Sequence, residues 1–156
     1  MDPAEDAARR ERRLEWHRGF AARVPHNRAL GIEIVDLGDD WVVYRLPWAE
    51  HLVGNPETGV LHGGAITTLL DGCCGSAVFA ALPQPVPIAT LDLRIDYLKP
   101  ATARLDVLAK ARCFKLTRNV GFVRAVAYHD DEADPIAAAS GTFMLGTASS
   151  RKPGAP

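Results

Sequence analysis

One stretch of this chain constrains the rest. From Gly63 to Leu82 it reads GGAITTLLDGCCGSAVFAAL, within an apolar run that begins at Val60 and is closed by Pro83, Pro85 and Pro87. The run is too long for one strand and apolar nearly all round, which predicts a helix buried inside its own domain and stopped by the prolines. A single long apolar helix is hidden if an antiparallel sheet curls around it, so the remaining residues have to supply that sheet.

The flanking segments read as its strands. Ile32, Ile34 and Leu37 alternate with polar positions within Gly31–Leu37, Gly38-Asp39-Asp40 supplies a turn, and Trp41–Leu46 follows as a second strand ended by Pro47. Residues 50–61, rich in Gly, Asn and Pro, read as a loop. Four further strands are expected at about Ile88–Leu98, Ala103–Phe114, Asn119–His129 and Ile136–Leu145. In the first, Leu91, Leu93, Ile95 and Tyr97 alternate with Asp92, Arg94 and Asp96. At the other end, residues 4–22 have helical spacing (Leu14, His17, Ala21, Val24), with a stop near Val24-Pro25. The organisation expected is an N-terminal helical arm over 1–26, one α+β domain over 27–147, and a disordered tail over 148–156.

At 156 residues the chain fits one domain. The net charge of −1 offers no bulk field for nucleic acid or a membrane surface. The arginines of the arm are matched by Glu5, Asp6, Glu11 and Glu15, so a solvated face is expected there. No apolar leader is visible at the N-terminus, and the Val60–Leu82 run, interrupted by His62, four glycines and Asp71, does not read as a membrane span. Cys73, Cys74 and Cys113 have no CxxC or Cys/His spacing, which predicts buried reduced thiols in the cytoplasm and no metal site.

Asp71 stands out because it is the only charged residue between Glu57 and Asp92, in the middle of the most apolar segment. Burial of a carboxylate is unfavourable unless it is neutral or hydrogen-bonded, and desolvation raises its pKa toward the range of a general base. The alternative is a structural aspartate that caps a loop or pairs with an arginine. At the helix start, His62-Gly63-Gly64 would present backbone N–H groups at the positive end of the helix dipole, with no side chains to block a ligand oxygen. That suits a polarised carbonyl, although a tight glycine turn would look the same. Gly63 and Asp71 are eight residues apart, about 12 Å along a helix at roughly 1.5 Å per residue. They therefore serve different purposes, or two chains combine them at a two-fold interface.

Taken together, Asn55…Gly59-Val-Leu-His-Gly-Gly64, Asp71 nine residues after His62, Thr90-Leu-Asp-Leu-Arg-Ile-Asp-Tyr-Leu-Lys-Pro-Ala101 and the closing Ala138–Leu145 resemble the PaaI-like hotdog-fold acyl-CoA thioesterases, which include phenylacetate-pathway and 4-hydroxybenzoyl-CoA enzymes. The resemblance spans about residues 27–147. It implies a curved antiparallel sheet wrapped around the apolar helix, and hydrolysis of an aryl or medium-chain acyl-CoA thioester with no metal or cofactor, coenzyme A being part of the substrate. It implies a homodimer or a tetramer of two dimers. By position it makes Asp71 the general base or the nucleophile of a mixed anhydride, and Gly64, with Gly63 beside it, the donor to the thioester carbonyl. Asn55 and His62 would shape that pocket and Thr90 would hold the water. Lys99, Lys115, Arg118, Asn119 and Gly121 would meet coenzyme A. The Asn55–His62 interval is one residue longer than the family pattern.

Read without the family, Thr90 is an ordinary β-branched strand residue, His62 a structural histidine, and Lys115 and Arg118 solvated turn charges. Leu69, Leu70 and Phe79 are the residues expected to line an acyl site. Three competing functions differ in what they require. A hotdog hydratase needs a histidine paired with a carboxylate. A non-catalytic acyl-CoA sensor needs binding without turnover. A purely structural protein would hide Asp71 in the core, away from any cleft.

Overall fold

The structure, a computed structural model, describes residues 3–146. Two helices, α1 (Pro3–Ala21) and α2 (Pro25–Leu30), precede a hairpin of β1 (Glu33–Leu37) and β2 (Trp41–Leu46). A turn of 3-10 helix (Glu50–Leu52) and a small ribbon of β3 (Val53–Asn55) and β4 (Val60–Leu61) lead into the long helix α3 (Gly63–Ala81). Then come β5 (Ile88–Tyr97), β6 (Val107–Leu116), β7 (Val120–Tyr128) and β8 (Ala137–Leu145). The main sheet runs β1-β2-β6-β7-β8-β5, and every pairing in it is antiparallel. The tail expected to be disordered lies outside the described residues from 147 onward.

Helix α3 is the core of the molecule. Leu69, Leu70, Cys73, Cys74, Ala77 and Val78 are completely buried, against Val42, Leu46, Val107, Ala109 and Ala111 of the sheet. By length and composition α3 is apolar enough to cross a bilayer, contrary to the reading of its sequence; here the sheet encloses it. All three cysteines are unpaired and buried. Burial pushes the Cys74 thiol up to about 12, with the Asp71 carboxylate adding to the effect.

The arm does not stop at Pro25. Proline at the first turn of α2 is compatible with a helix, and the chain leaves α2 through Gly31 in the left-handed region (φ 72°). Helix α1 lies along β1, an edge of the sheet. Arg18 Nε donates to Ile34 O at 3.0 Å and Arg10 Nε to Leu37 O at 3.0 Å, while the Arg13 guanidinium reaches both Gly38 O and Ala80 O. Arg10 and Arg13 also pair with Asp36 and Asp39.

Two expected strands differ in detail. β6 begins at Val107 rather than near Ala103, because the preceding residues turn through Arg104 at φ 64°. In β5 the register to β8 slips between Thr90 and Asp92. A bulge at Leu91 shifts the pleat by one residue, so Leu93 and Ile95 pack on the core while Leu91 is left 53% exposed.

Candidate active site

Asp71 emerges from α3 into a cavity of about 270 Å³ between that helix, the sheet and the N-terminal arm. It is half-buried, not sealed in the core as its sequence neighbours suggested. Thr90 Oγ1 donates to Asp71 Oδ1 at 3.0 Å. The bulge at Leu91 makes that bond possible: Thr90 lines the same cavity as Ile88 and Phe143, on the helix side of the sheet. Asp71 is thus not hidden in the core away from any cleft, the placement expected of a purely structural protein.

The start of α3 is built by hydroxyls and by His62. His62 is its N-cap, and Gly64 N–H donates to His62 Nδ1 at 2.8 Å. Thr67 Oγ1 donates to Gly63 O at 3.1 Å and Thr68 Oγ1 to Gly64 O at 3.0 Å. From the edge strand, Tyr97 OH donates to Gly63 O at 2.7 Å. A Cβ on Gly63 would stand 3.4 Å from the Tyr97 hydroxyl oxygen, an ordinary contact distance.

Gly64, Thr68, Asp71 and Gly75 follow helical spacing and form one stripe along α3. A shallow pocket over His62, Gly64 and Thr68 adjoins the Asp71 cavity, with which it shares His26 and Thr68. Gly64 and Asp71 are still seven residues apart, about 10 Å at roughly 1.5 Å per residue. Within one chain no single carbonyl reaches both.

The other residues picked from the sequence are dispersed. Asn55 ends β3, and its Oδ1 accepts from Glu57 N–H at 3.0 Å, closing its own turn. Gly121 is buried, and a Cβ on it would press Val78 at 3.1 Å, which makes it a packing glycine against α3. Lys115, Arg118 and Asn119 are exposed around the β6–β7 turn, whereas Lys99, paired with Asp134, follows the far end of β5. β5 is ten residues long, about 30 Å at roughly 3.3 Å per residue, so these cations lie at opposite ends of the sheet. Leu69 and Leu70 face the core and do not line the cavity; Phe79 does.

The structure adds residues that the sequence gave no reason to choose. Phe20, Val24, His26 and Asn27 reach the cavity from the arm, and Tyr44, bonded to Ser76, closes its inner end. Thr68 was detectable by its helical spacing from Asp71; the arm residues carry no local signal. His26 Nε2 lies 3.4 Å from Thr68 Oγ1 and makes no hydrogen bond to Asp71, so no His–carboxylate pair of the hydratase kind is formed. Among the described residues no three His, Cys, Asp or Glu side chains group as metal ligands.

Comparison with known proteins agrees with this architecture. Residues 58–136 match the family described as the Thioesterase superfamily. The medium/long-chain acyl-CoA thioesterase YigI of Escherichia coli K12 is 30% identical, over 81% of this chain and 89% of YigI. A Halobacterium salinarum protein provisionally named an esterase is 37% identical, over 74% of this chain and 81% of its own. A Pseudomonas aeruginosa protein of known crystal structure superposes with a TM-score of 0.77 at 44% identity, covering 84% of this chain and 97% of that one. The PaaI protein of Escherichia coli, at 19% identity and a TM-score of 0.72, shares the fold. The chain belongs to the thioesterase superfamily and is a thioesterase with the hotdog fold.

Proposed function

We propose that the chain hydrolyses apolar acyl esters of coenzyme A, with Asp71 as the catalytic carboxylate and with each site completed by a second copy of the chain. The observation that carries this reading is the Thr90–Asp71 hydrogen bond at the mouth of an apolar cavity. The name of YigI, a medium/long-chain acyl-CoA thioesterase, supports the substrate class.

In the proposed reaction the thioester carbonyl lies at the N-terminus of α3, where the helix dipole and a glycine N–H favour a developing oxyanion. In the free protein the Gly64 N–H is satisfied by His62 Nδ1, so a bound carbonyl oxygen replaces the imidazole as its acceptor. Asp71 of the other copy takes a proton from water as the water oxygen attacks the carbonyl carbon. The C–S bond then breaks, the proton passes to the thiolate, and the free acid and coenzyme A leave. The second route open to the same carboxylate is direct attack to give a mixed anhydride, which water then opens.

The reach of about 10 Å between Gly64 and Asp71 is the reason for a second copy. Antiparallel α3 helices related by a two-fold axis would place one copy's helix start beside the other's Asp71, twice. Lys115 and Arg118, exposed and without an ion pair among the described residues, are the cations proposed for the coenzyme A phosphates. The three unpaired thiols suit the cytoplasm, which we propose as the compartment.

The test is release of thiol from a panel of acyl-CoA esters by the wild type and by Asp71→Asn, with folding checked by circular dichroism. A fall of about 10²–10⁴-fold in the folded variant is expected, the range for loss of a positioned proton-transfer group. Equal rates for the two proteins would remove Asp71 from the mechanism. Binding of the esters without turnover by the wild type would favour an acyl-CoA sensor.

A further inference from the structure

Helix α3 carries two glycines, Gly72 and Gly75, just after Asp71 and on the wall of its cavity. Glycine in a helix interior weakens the helix relative to alanine. Packing does not demand one at position 75. A Cβ there would stand 3.5 Å from Phe143 and 3.6 Å from Ile88, both ordinary contact distances. The missing methyl leaves a methyl-sized space on the wall of the cavity that Asp71 also lines.

The arm faces that space. Phe20, in the last turn of α1, meets Phe79 of α3 edge to face, with ring centroids 5.5 Å apart. Trp16 stacks on the outer side of Phe20 at 5.9 Å. Phe20 is 43% exposed, so it stands at the boundary between cavity and solvent rather than in the core. No lysine or arginine lines the cavity, so an acyl chain with a terminal carboxylate would find no counter-charge.

We propose that the N-terminal arm measures the acyl chain. The acyl group enters past Asp71, lies along the Gly72–Gly75 face of α3, and ends at the Phe20–Phe79 contact. This deepens the function proposed above and rests on it. At about 30 Å³ for each water-sized group, a cavity of about 270 Å³ takes on the order of nine non-hydrogen atoms. The occupant is an uncharged apolar acyl group of that size. A straight medium chain and a phenyl-bearing acid share this chemistry.

The experiment uses the full chain as wild type, Phe20→Ala and Gly75→Ala. Each is assayed for hydrolysis from acetyl-CoA to palmitoyl-CoA, with phenylacetyl-CoA alongside. Binding of the matching non-hydrolysable alkyl-CoA thioethers is measured by calorimetry, and folding by thermal melting. The wild type is expected to prefer a chain near octanoyl, or phenylacetyl if the occupant is aromatic. Phe20→Ala should move the optimum to longer chains and Gly75→Ala to shorter ones. Preference between chains on either side of the optimum should change about tenfold or more, the discrimination a hydrophobic pocket gives per methylene. A wild-type optimum at acetyl or palmitoyl overturns the proposal. So does one optimum shared by all three proteins in both assays. If no ester is hydrolysed but the thioether optimum moves with Phe20, the chamber stands and the catalytic reading falls. If the Asp71→Asn comparison described above shows that hydrolysis depends on Asp71 but neither optimum moves here, the chamber falls and the catalytic reading stands.

Discussion

Thr90 Oγ1 donates to Asp71 Oδ1 at 3.0 Å, tying an edge strand of the sheet to the middle of the central helix. The bond fixes one carboxylate oxygen and leaves the other for a substrate water. Thr90→Val is expected to lower kcat about tenfold or more while KM changes less than about twofold, because orientation of the reacting group is lost and binding is not. Thr90→Ser should recover most of the rate. Steady-state kinetics on the preferred ester checks this, and an unchanged kcat in Thr90→Val would reduce the bond to a structural contact.

Tyr97 acts on the opposite end of the proposed site. Its hydroxyl donates to Gly63 O, the carbonyl of the same peptide unit whose N–H belongs to Gly64. A donor on the carbonyl end fixes the orientation of that peptide plane and polarises the N–H toward an acceptor. Tyr97→Phe is therefore expected to lower kcat by about tenfold with little change in KM. Thr67 Oγ1 also reaches Gly63 O, so Thr67→Val in the Tyr97→Phe background should fall further. A Tyr97→Phe enzyme that loses only affinity would contradict this.

His17 of α1 is 6% exposed, and burial first, then the Arg13 guanidinium, hold its pKa below the ordinary 6.5. A buried neutral imidazole takes up a proton less readily than the unfolded chain. Its contribution is thus fully present above about pH 6.5 and is lost as pH falls from there through the folded-state value. The wild type should lose stability on acidification relative to His17→Gln, by at most about 1.4 kcal/mol per pH unit. Denaturant melts of both proteins between pH 7 and 5 measure the difference. Parallel curves would mean that His17 titrates alike in the folded and unfolded states.

The glycines of the core differ in what they accept. A methyl on Gly121 would press Val78 at 3.1 and 3.2 Å and Leu116 at 3.3 Å. Gly121→Ala is expected to destabilise the fold by about 1–3 kcal/mol through overpacking. Gly75→Ala should instead stabilise by about 0.5–1 kcal/mol, since its methyl fits and the helix gains propensity. Thermal melts of the two variants should move in opposite directions.

What the sequence revealed follows from where each signal lies. Helix α3 is local: its apolar run and the prolines after it mark both ends to within a residue, and Asp71 is conspicuous as a lone charge in that run. The hairpin of β1 and β2 is equally legible, from alternation around Gly38-Asp39-Asp40. The phase of β5 was not. A bulge at Leu91 adds one residue to the pleat, so Leu91, in the same alternating set as Leu93, faces out and Thr90 turns toward Asp71. Helix α2 was hidden because Pro25 reads as a stop and is in fact at a helix start. Phe20 and His26 reach the Asp71 cavity across more than forty residues of chain, a relation made by tertiary packing alone.

The arginines of α1 also decide how the sheet can be extended. Arg10 and Arg18 occupy carbonyls of β1, so a further strand cannot add there without displacing the arm. Among the described residues, β5 at the other border carries no such cover from the arm. A sheet with two bare borders can grow copy upon copy into a fibre. With one border sealed, pairing through β5 would use up the free border of both molecules at once, and growth of the sheet would stop at two. The arm that walls the cavity would thereby also limit extension of the sheet at this border.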